Sequence, residues 1–243
     1  MPEGPSIVIM KEAMMQFKGK KVIGWSGNTT VEIPDLTNLV VQDLKTWGKH
    51  FLICFKHFTI RVHLMLFGTY LINETKEAKP RLHLRFNNGE LNFYTVSLQL
   101  ISGDLNDTYD WTADVMNKKW DPLGAKKKMK ATPNMLVCDA LMDQQIFSGV
   151  GNIIKNEVMF RTRIHPQSRV GALPASKINA LLKEVVAYTF DFYQWKKEGT
   201  LKKHWRAYGQ STCSRDHTPL IKKSLGRSHR TTYFCNSCQE LYK

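Results

Sequence analysis

The feature that most constrains this chain is a group of metal-binding residue types near its end. The stretch CSRDHTPLIKKSLGRSHRTTYFCNSCQ contains Cys213-x3-His217 and, seventeen residues further on, Cys235-x2-Cys238. That spacing suits a β-hairpin which brings the two pairs together. Thiolates and imidazole form closed tetrahedral zinc sites that have no open position for catalysis. Because so short a tail cannot build a core of its own, we predict that one structural zinc per chain supplies its folding energy.

The fourth zinc ligand is less well defined than the three cysteines. His229 and Asp216 are alternatives to His217, because each of them also lies between the cysteine pairs. The other two cysteines, Cys54 and Cys138, lie in apolar segments and are expected to be core thiols. An odd count of five cysteines, without a secretory leader, argues against a framework of disulfides.

The chain is strongly basic, with 35 Lys and Arg against 21 Asp and Glu and a net charge of +14. Such an excess favours a polyanionic partner, above all nucleic acid, whereas the alternative is a generally basic, solvated surface. No apolar run approaches the roughly 18 residues of a membrane span. We expect no membrane partner and an intracellular location: the nucleus, the cytoplasm or, for a viral protein, a viral factory.

The hydrophobic pattern predicts two domains followed by a zinc finger. The N-terminal part combines one helical segment with several strand-like ones, the middle is basic and contains a proline, and the next part has helical spacing. The predicted segments are a β-rich domain at 1–112, a linker at 113–131, a helical domain at 132–203 and the zinc finger at 204–243.

The chain begins MPEGPSIVIMK, which places a proline and an acid ahead of the first helical segment. Proline in a first helical turn and an acid near the positive end of the helix dipole are ordinary helix-start signals. The alternative is chemical. Removal of Met1 would leave Pro2 as a free secondary amine beside Glu3.

Three other stretches contain candidate binding residues. Lys49 follows a glycine at the head of a strand in GKHFL, where a solvated lysine is the ordinary alternative. In HLMLFG, Met65, Leu66 and Phe67 cannot all face one core, and apolar side chains can act as wedges between base steps. In SGVGNIIK, Asn152 opens a helix whose backbone N–H groups favour anions, although a packing turn is equally consistent with these residues.

Taken together, these stretches resemble the formamidopyrimidine-DNA glycosylase and endonuclease VIII family along nearly the whole chain. The resemblance rests on PEGP, GKHFL, HLMLFG, DQQIFSGVGNIIKNEVMF and SHRTTYFCNSCQ, in that order. PEGP and HLMLFG are more similar to the endonuclease VIII branch, and the zinc ligands are similar to those of its vertebrate and viral members. The resemblance implies an α+β fold: an N-terminal β-sandwich with a catalytic helix, and a C-terminal helix–two-turn–helix domain with a zinc-ribbon hairpin.

The resemblance also implies catalytic roles for four residues. Pro2 would attack the sugar C1′ and form a Schiff base, and Glu3 would transfer protons during base loss and sugar opening. Lys49 would contact phosphate and assist proton transfer. Arg230, at the tip of the zinc hairpin, would bind phosphate and assist the second elimination.

A second group of residues would hold the DNA. Met65, Leu66 and Phe67 would fill the space left by a flipped nucleotide, and Asn152 would hold a backbone phosphate. Two features depart from the family pattern. Ser6 stands where many relatives have glutamate, and no clear match is found to the loop that other members insert opposite the lesion.

The resemblance therefore implies a monomeric enzyme of base excision repair that binds damaged DNA, duplex, single-stranded or bubble, in a cleft between its domains. It would be a bifunctional DNA glycosylase and abasic-site lyase that removes oxidised pyrimidines and cuts the strand by β,δ-elimination. The alternatives are the same chemistry on oxidised purines, such as 8-oxoguanine or formamidopyrimidine, and a catalytically silent DNA-binding protein on this fold.

Overall fold

The computed structural model describes residues 2–243 and separates the chain into two compact units, with the boundary between Tyr109 and Asp110. The α+β class predicted from the sequence is confirmed, because each unit combines helices with antiparallel strands. No helix in the described part of the chain has the combined length and apolar character needed to span a bilayer.

The first unit contains one long helix and eight strands. Helix α1 spans Gly4–Met14 and continues into a 3₁₀ turn at Met15–Phe17, and a four-residue helix, α2, spans Leu105–Thr108. The strands are β1 (Val22–Ser26), β2 (Asp43–Trp47), β3 (His50–Cys54), β4 (Phe58–His63), β5 (Thr69–Ile72), β6 (Leu82–Phe86), β7 (Gly89–Tyr94) and β8 (Ser97–Ser102).

These strands form the predicted β-sandwich. One antiparallel sheet has the order β1-β6-β7-β5 and the other the order β2-β3-β4-β8. The inward-facing residues of both sheets share one apolar core, in which the rings of Phe51 and Phe93 lie 6.2 Å apart. Ile7, Met10 and Met14 bury one face of α1 in the same core, so the N-terminal helix is fixed by packing against the sandwich.

The second unit consists of helices and one hairpin. Its helices are α3 (Pro122–Lys130), α4 (Val137–Ala140), α5 (Asn152–Arg161) and α6 (Ala175–Lys197), and its 3₁₀ turns lie at Trp111–Ala113, Val170–Ala172 and Leu201–His204. Strands β9 (Ile221–Leu225) and β10 (Arg230–Phe234) pair antiparallel to form the hairpin of the C-terminal tail. Helix α5 packs against both α6 and β10, and its apolar side chains lie at the centre of the unit's core.

The structure differs from the sequence prediction in the segment 113–131. The predicted linker contains α3, whose N-terminus is capped by the carboxylate of Asp121, which accepts a hydrogen bond from the backbone N–H of Leu123. Only Ala125 and Met129 of this helix face the core. The lysines around them are typical of a linker, which is why the sequence predicted one. Two apolar residues four positions apart are too weak a periodic signal to reveal so short a helix.

Candidate active site and metal centre

The first residues place a half-buried proline beside a fully buried acid. Glu3 precedes α1, where its backbone carbonyl accepts from the N–H groups of Ser6 and Ile7 at 2.8 and 3.3 Å, and its exposed fraction is 0 %. Pro5, rather than Pro2, lies in the first helical turn. A helix-start preference therefore accounts for Pro5 but not for Pro2. A nucleophilic role for Pro2 requires removal of Met1. Met1 lies outside the described residues.

Lys49 lies in the two-residue turn that joins β2 to β3, immediately before the strand. Trp47 and His50 pair across this turn, and Gly48 has φ 52°, a value that suits glycine as the first central residue of a tight hairpin. The turn leaves Lys49 half-buried at the end of the sheet.

Two histidines that the sequence analysis did not single out lie near Lys49. His50 and His63 are paired in neighbouring strands, and their rings are 5.3 Å apart, edge to face. Burial, together with the charges of Arg61, His63 and Lys49, lowers the pKa of His50 to about 3, and burial also lowers the pKa of His63. Both imidazoles are therefore neutral at neutral pH, and Lys49 and Arg61 are the cations of this group. Both histidines lie in stretches named above, His50 in GKHFL and His63 in HLMLFG. Aligning these two neighbouring strands could therefore have revealed the pair.

The loop between β4 and β5 exposes three large apolar side chains. Met65, Leu66 and Phe67 have exposed fractions of 51, 41 and 80 %, and they border a cavity of about 450 Å³. A tight turn holds them, because the N–H of Gly68 donates to the carbonyl of Leu64 at 2.7 Å and a Cβ on Gly68 would lie 2.2 Å from that oxygen. The exposure agrees with the sequence analysis, whereas contact with DNA stays a prediction.

We expect Leu66→Ala to leave stability nearly unchanged, because its side chain is not enclosed by the core. It should lower activity on a duplex lesion more than on a single-stranded one, since only the duplex has base stacking to replace. The matched control is Leu64→Ala. Because Leu64 is only 4 % exposed, this substitution should lower the free energy of unfolding by about 2–5 kcal/mol. Thermal unfolding and paired assays measure both effects. A large fall in melting temperature for Leu66→Ala, with equal losses on both substrates, would assign it to the core.

Asn152 begins α5 after a turn that is fixed from several sides. Gly149 has φ 96°, its N–H donates to the side-chain oxygen of Gln144, and the amide nitrogen of Gln144 donates to the carbonyls of Met142 and Val150. Asn152 is buried, and its own amide nitrogen donates to the carbonyl of Thr231 at 3.0 Å. The N-terminal end of α5 is thus held directly against the hairpin, and its binding of a phosphate stays a prediction.

Arg230 is the first residue of β10 and pairs with Leu225. Residues 226–229 form the tip of the hairpin, and Gly226 and His229 both have positive φ, 73° and 47°. Arg230 is half-buried at the base of this tip. It therefore lies at the end of β10 that adjoins the N-terminus of α5, on the evidence of the contact between Asn152 and Thr231.

The three predicted cysteines of the tail converge on one point. Ligand atoms of Cys213, Cys235, Cys238 and Asp216 all lie within 4.8 Å of one another. The two thiols of Cys213 and Cys238 are 3.7 Å apart, and the thiol of Cys235 lies 3.1 Å from a carboxylate oxygen of Asp216. Three thiols and one carboxylate form a donor set that zinc accepts, so the residues fit a closed structural site.

The structure does not bring His217, the fourth predicted ligand, together with the three thiols. His217 is exposed and lies outside this group, and its backbone N–H donates to the carbonyl of Cys213 at 3.0 Å with φ 59°. The neighbouring Asp216, one of the two alternatives, instead places a carboxylate oxygen among the thiols. The other alternative, His229, lies in the hairpin tip. Spacing alone could not make this choice, because the local turn decides which of two adjacent side chains faces the thiols.

Comparisons with known proteins match the helical part and, with longer relatives, most of the chain. The model of the formamidopyrimidine-DNA glycosylase H2TH domain matches residues 113–190. The chain is 30% identical over 228 residues to endonuclease 8-like 3 of Xenopus laevis, which covers 86% of the chain and 36% of that protein. It is 33% identical over 201 residues to endonuclease 8-like 2 of Bos taurus, which covers 74% of the chain and 58% of that protein. The chain thus spans only part of these relatives.

Solved structures share the fold over almost the full length of the chain. A viral DNA glycosylase superposes with a TM-score of 0.86 at 20% identity, covering 98% of this chain and 100% of that one. The Lactococcus lactis formamidopyrimidine-DNA glycosylase bound to DNA containing an abasic site also has a TM-score of 0.86, at 21% identity, covering 98% and 99%. The matched domain and the relatives support assignment of the chain to the formamidopyrimidine-DNA glycosylase and endonuclease VIII family, and the solved structures show that it shares their fold.

Proposed function

We propose that this protein is a DNA glycosylase and abasic-site lyase of base excision repair that acts on oxidised pyrimidines. The observation that carries the proposal is the arrangement of Pro2 and Glu3. Pro2 lies outside the helix and is partly open to solvent, and the acid that follows it is completely buried. Because an amine next to a buried acid supplies both the nucleophile and the proton carrier that this reaction needs, the arrangement favours chemistry over a purely structural start.

The proposed reaction begins with the Pro2 nitrogen after Met1 has been removed. The nitrogen forms a bond to C1′ of the damaged nucleotide, and the bond from C1′ to the base breaks as the base takes up a proton. The attacking nitrogen gives up its N–H proton to Glu3, protonation of the ring oxygen then opens the sugar, and the freed nitrogen lone pair forms the iminium. Glu3 carries the protons for base loss and sugar opening, which is general acid–base catalysis at the reacting atoms.

The iminium then drives strand cleavage. It withdraws electrons from C2′, so that loss of the C2′ proton expels the 3′ phosphate in the β-elimination. Loss of the C4′ proton next expels the 5′ phosphate in the δ-elimination, and water releases the sugar fragment and restores the amine. In this scheme Lys49 and Arg230 bind phosphates, and Arg230 favours departure of the second one by neutralising its charge.

The remaining residues hold the substrate. The net charge of +14 supplies attraction to the DNA backbone that does not depend on sequence, and Asn152 at the N-terminus of α5 adds a directed phosphate contact. Met65, Leu66 and Phe67 replace the stacking that is lost when the nucleotide leaves the duplex. Zinc, held by the three tail cysteines and Asp216, has a structural role. Paired assays on oligonucleotides with an oxidised pyrimidine or 8-oxoguanine test the substrate preference.

Reduction with borohydride on abasic DNA tests the proposal. We expect a covalent protein–DNA adduct whose peptide map places the link on the nitrogen of residue 2. Pro5→Ala is the control, because it changes the neighbouring proline without altering the amine. A link on a lysine, such as Lys49, would assign the nucleophile elsewhere. Protein that retains Met1 and still traps at the full rate would also overturn the role of Pro2.

A further inference from the structure

Helix α5 is buried along nearly its whole length, including its polar residues. Every residue from Asn152 to Phe160 is buried, and among them Lys155 is only 1 % exposed. Lysine is almost never buried to this degree, and a buried polar group costs free energy unless it is hydrogen-bonded. The polar side chains of α5 therefore must have partners inside the second unit. Glu157 accepts from the backbone N–H groups of residues 206–208, whereas the partners of the other three lie on β10.

Hydrogen bonds join the two elements at successive positions. Besides the contact of Asn152 with Thr231, the side-chain oxygen of Asn156 accepts from the N–H of Tyr233 at 2.7 Å. Nζ of Lys155 donates to Oγ1 of Thr232 at 2.8 Å, and this threonine is fully buried. The bonds follow the same order on the helix and on the strand, so they fix the register of β10 along α5.

The hydroxyl of Thr232 continues this connection to Arg230. While it accepts from Lys155, it donates to the backbone carbonyl of Arg230 at 3.1 Å. Residues two apart in a strand share a face, so Arg230 projects from the same face as Thr232 and the buried Phe234. The path from Lys155 through Thr232 to Arg230 thus sets both the position and the direction of the arginine.

A second contact holds the other side of the hairpin tip. A carboxylate oxygen of Asp139 in α4 accepts from the N–H of Arg227 at 2.8 Å, and a Cβ on Gly226 would lie 2.2 Å from that oxygen. The tip is therefore fixed at both ends. This arrangement suits a group that must meet a phosphate in one orientation, because misplacement lowers rates steeply.

We propose that Lys155 and Thr232 are positioning residues that orient Arg230 for the second, δ-elimination. The inference rests on the proposed function, in which Arg230 binds the departing phosphate. An apolar pair at these positions would avoid the cost of burying a lysine, but it would lack the directional bond to the carbonyl of Arg230. The polar pair supplies orientation rather than stability.

The test compares the products of strand cleavage on abasic DNA. Thr232→Val keeps the branched shape and removes the hydroxyl. It should lower the ratio of δ- to β-elimination products by about fivefold, the factor that corresponds to one net hydrogen bond. Thr232→Ser should restore the wild-type ratio. Arg230→Ala gives the product ratio in the absence of the arginine. Thr189→Val is the control: it makes the same substitution at another buried threonine of the second unit, which is 2 % exposed, and should leave the ratio unchanged.

The readouts separate this inference from the proposed function. Borohydride trapping by the wild type tests the lyase itself, and trapping and zinc content should be unchanged in Thr232→Val and Thr232→Ser. A second variant, Lys155→Met, should lower the product ratio in the same way as Thr232→Val. Two results would overturn the positioning role. One is an unchanged product ratio in both Thr232→Val and Lys155→Met. The other is a loss of zinc or of trapping in both variants that is as large as the loss of δ-elimination.

Discussion

Glu3→Gln should lower the rate of base removal by about 10²- to 10⁴-fold, the range that a positioned acid–base group contributes. Glutamine has nearly the same shape, and the backbone carbonyl of residue 3 would still accept from Ser6 and Ile7, so α1 should begin as before. The change removes only the ability of the buried side chain to carry a proton. Single-turnover release of an oxidised pyrimidine from duplex DNA measures the effect.

Two comparisons make the result for Glu3 specific. Glu12→Gln alters an exposed acid on the same helix and should retain the wild-type rate. Trapping on abasic DNA should fall less than base removal, because the base is already absent and the amine of Pro2 is intact. Equal losses on damaged and abasic DNA, or a melting temperature well below that of Glu12→Gln, would indicate a structural role for the acid.

The sequence was most informative where chemistry depends on spacing. The N-terminal proline and acid, the three tail cysteines and the exposed apolar loop could all be recognised, because each depends on a few residues close together in the chain. The same holds for the strands of the first unit, whose apolar patterns predicted a β-rich domain, whereas the sandwich arrangement was implied by the family resemblance. In these cases the local pattern and the tertiary structure agree.

The sequence was least informative where distant residues decide the outcome. The sequence analysis did not identify Lys155 and Asn156, because nothing near them in the chain shows that β10, more than seventy residues away, provides their partners. Helix α3 was missed since a lysine run conceals its two core residues. The choice of Asp216 over His217 depends on the backbone of one turn, which spacing does not encode.

Cys235→Ser should abolish zinc binding and loosen the hairpin that carries Arg230. The hairpin then keeps only its contacts with α5, Asp139 and the core around Phe234. The core around the site is small and consists of Phe160, Ala207 and two of the cysteines. Apparent free energies of zinc binding to structural sites are about 10–16 kcal/mol, far more than such a cluster can supply. Metal analysis should give about one zinc per chain for the wild type and none for Cys235→Ser, and δ-elimination should be lost. Cys54→Ser, a buried thiol outside the tail, is the control.

The fourth ligand can be tested on two adjacent residues. The geometry predicts that Asp216→Asn weakens zinc binding more than His217→Asn does, because only the carboxylate lies among the thiols. Asparagine is chosen at 217 because it tolerates the positive φ of that residue, so the turn is kept. Zinc release to a competing chelator measures both affinities without reference to activity. Faster release from His217→Asn than from Asp216→Asn would restore the histidine as the ligand, and equal, wild-type release from both would leave the three cysteines as the only protein ligands.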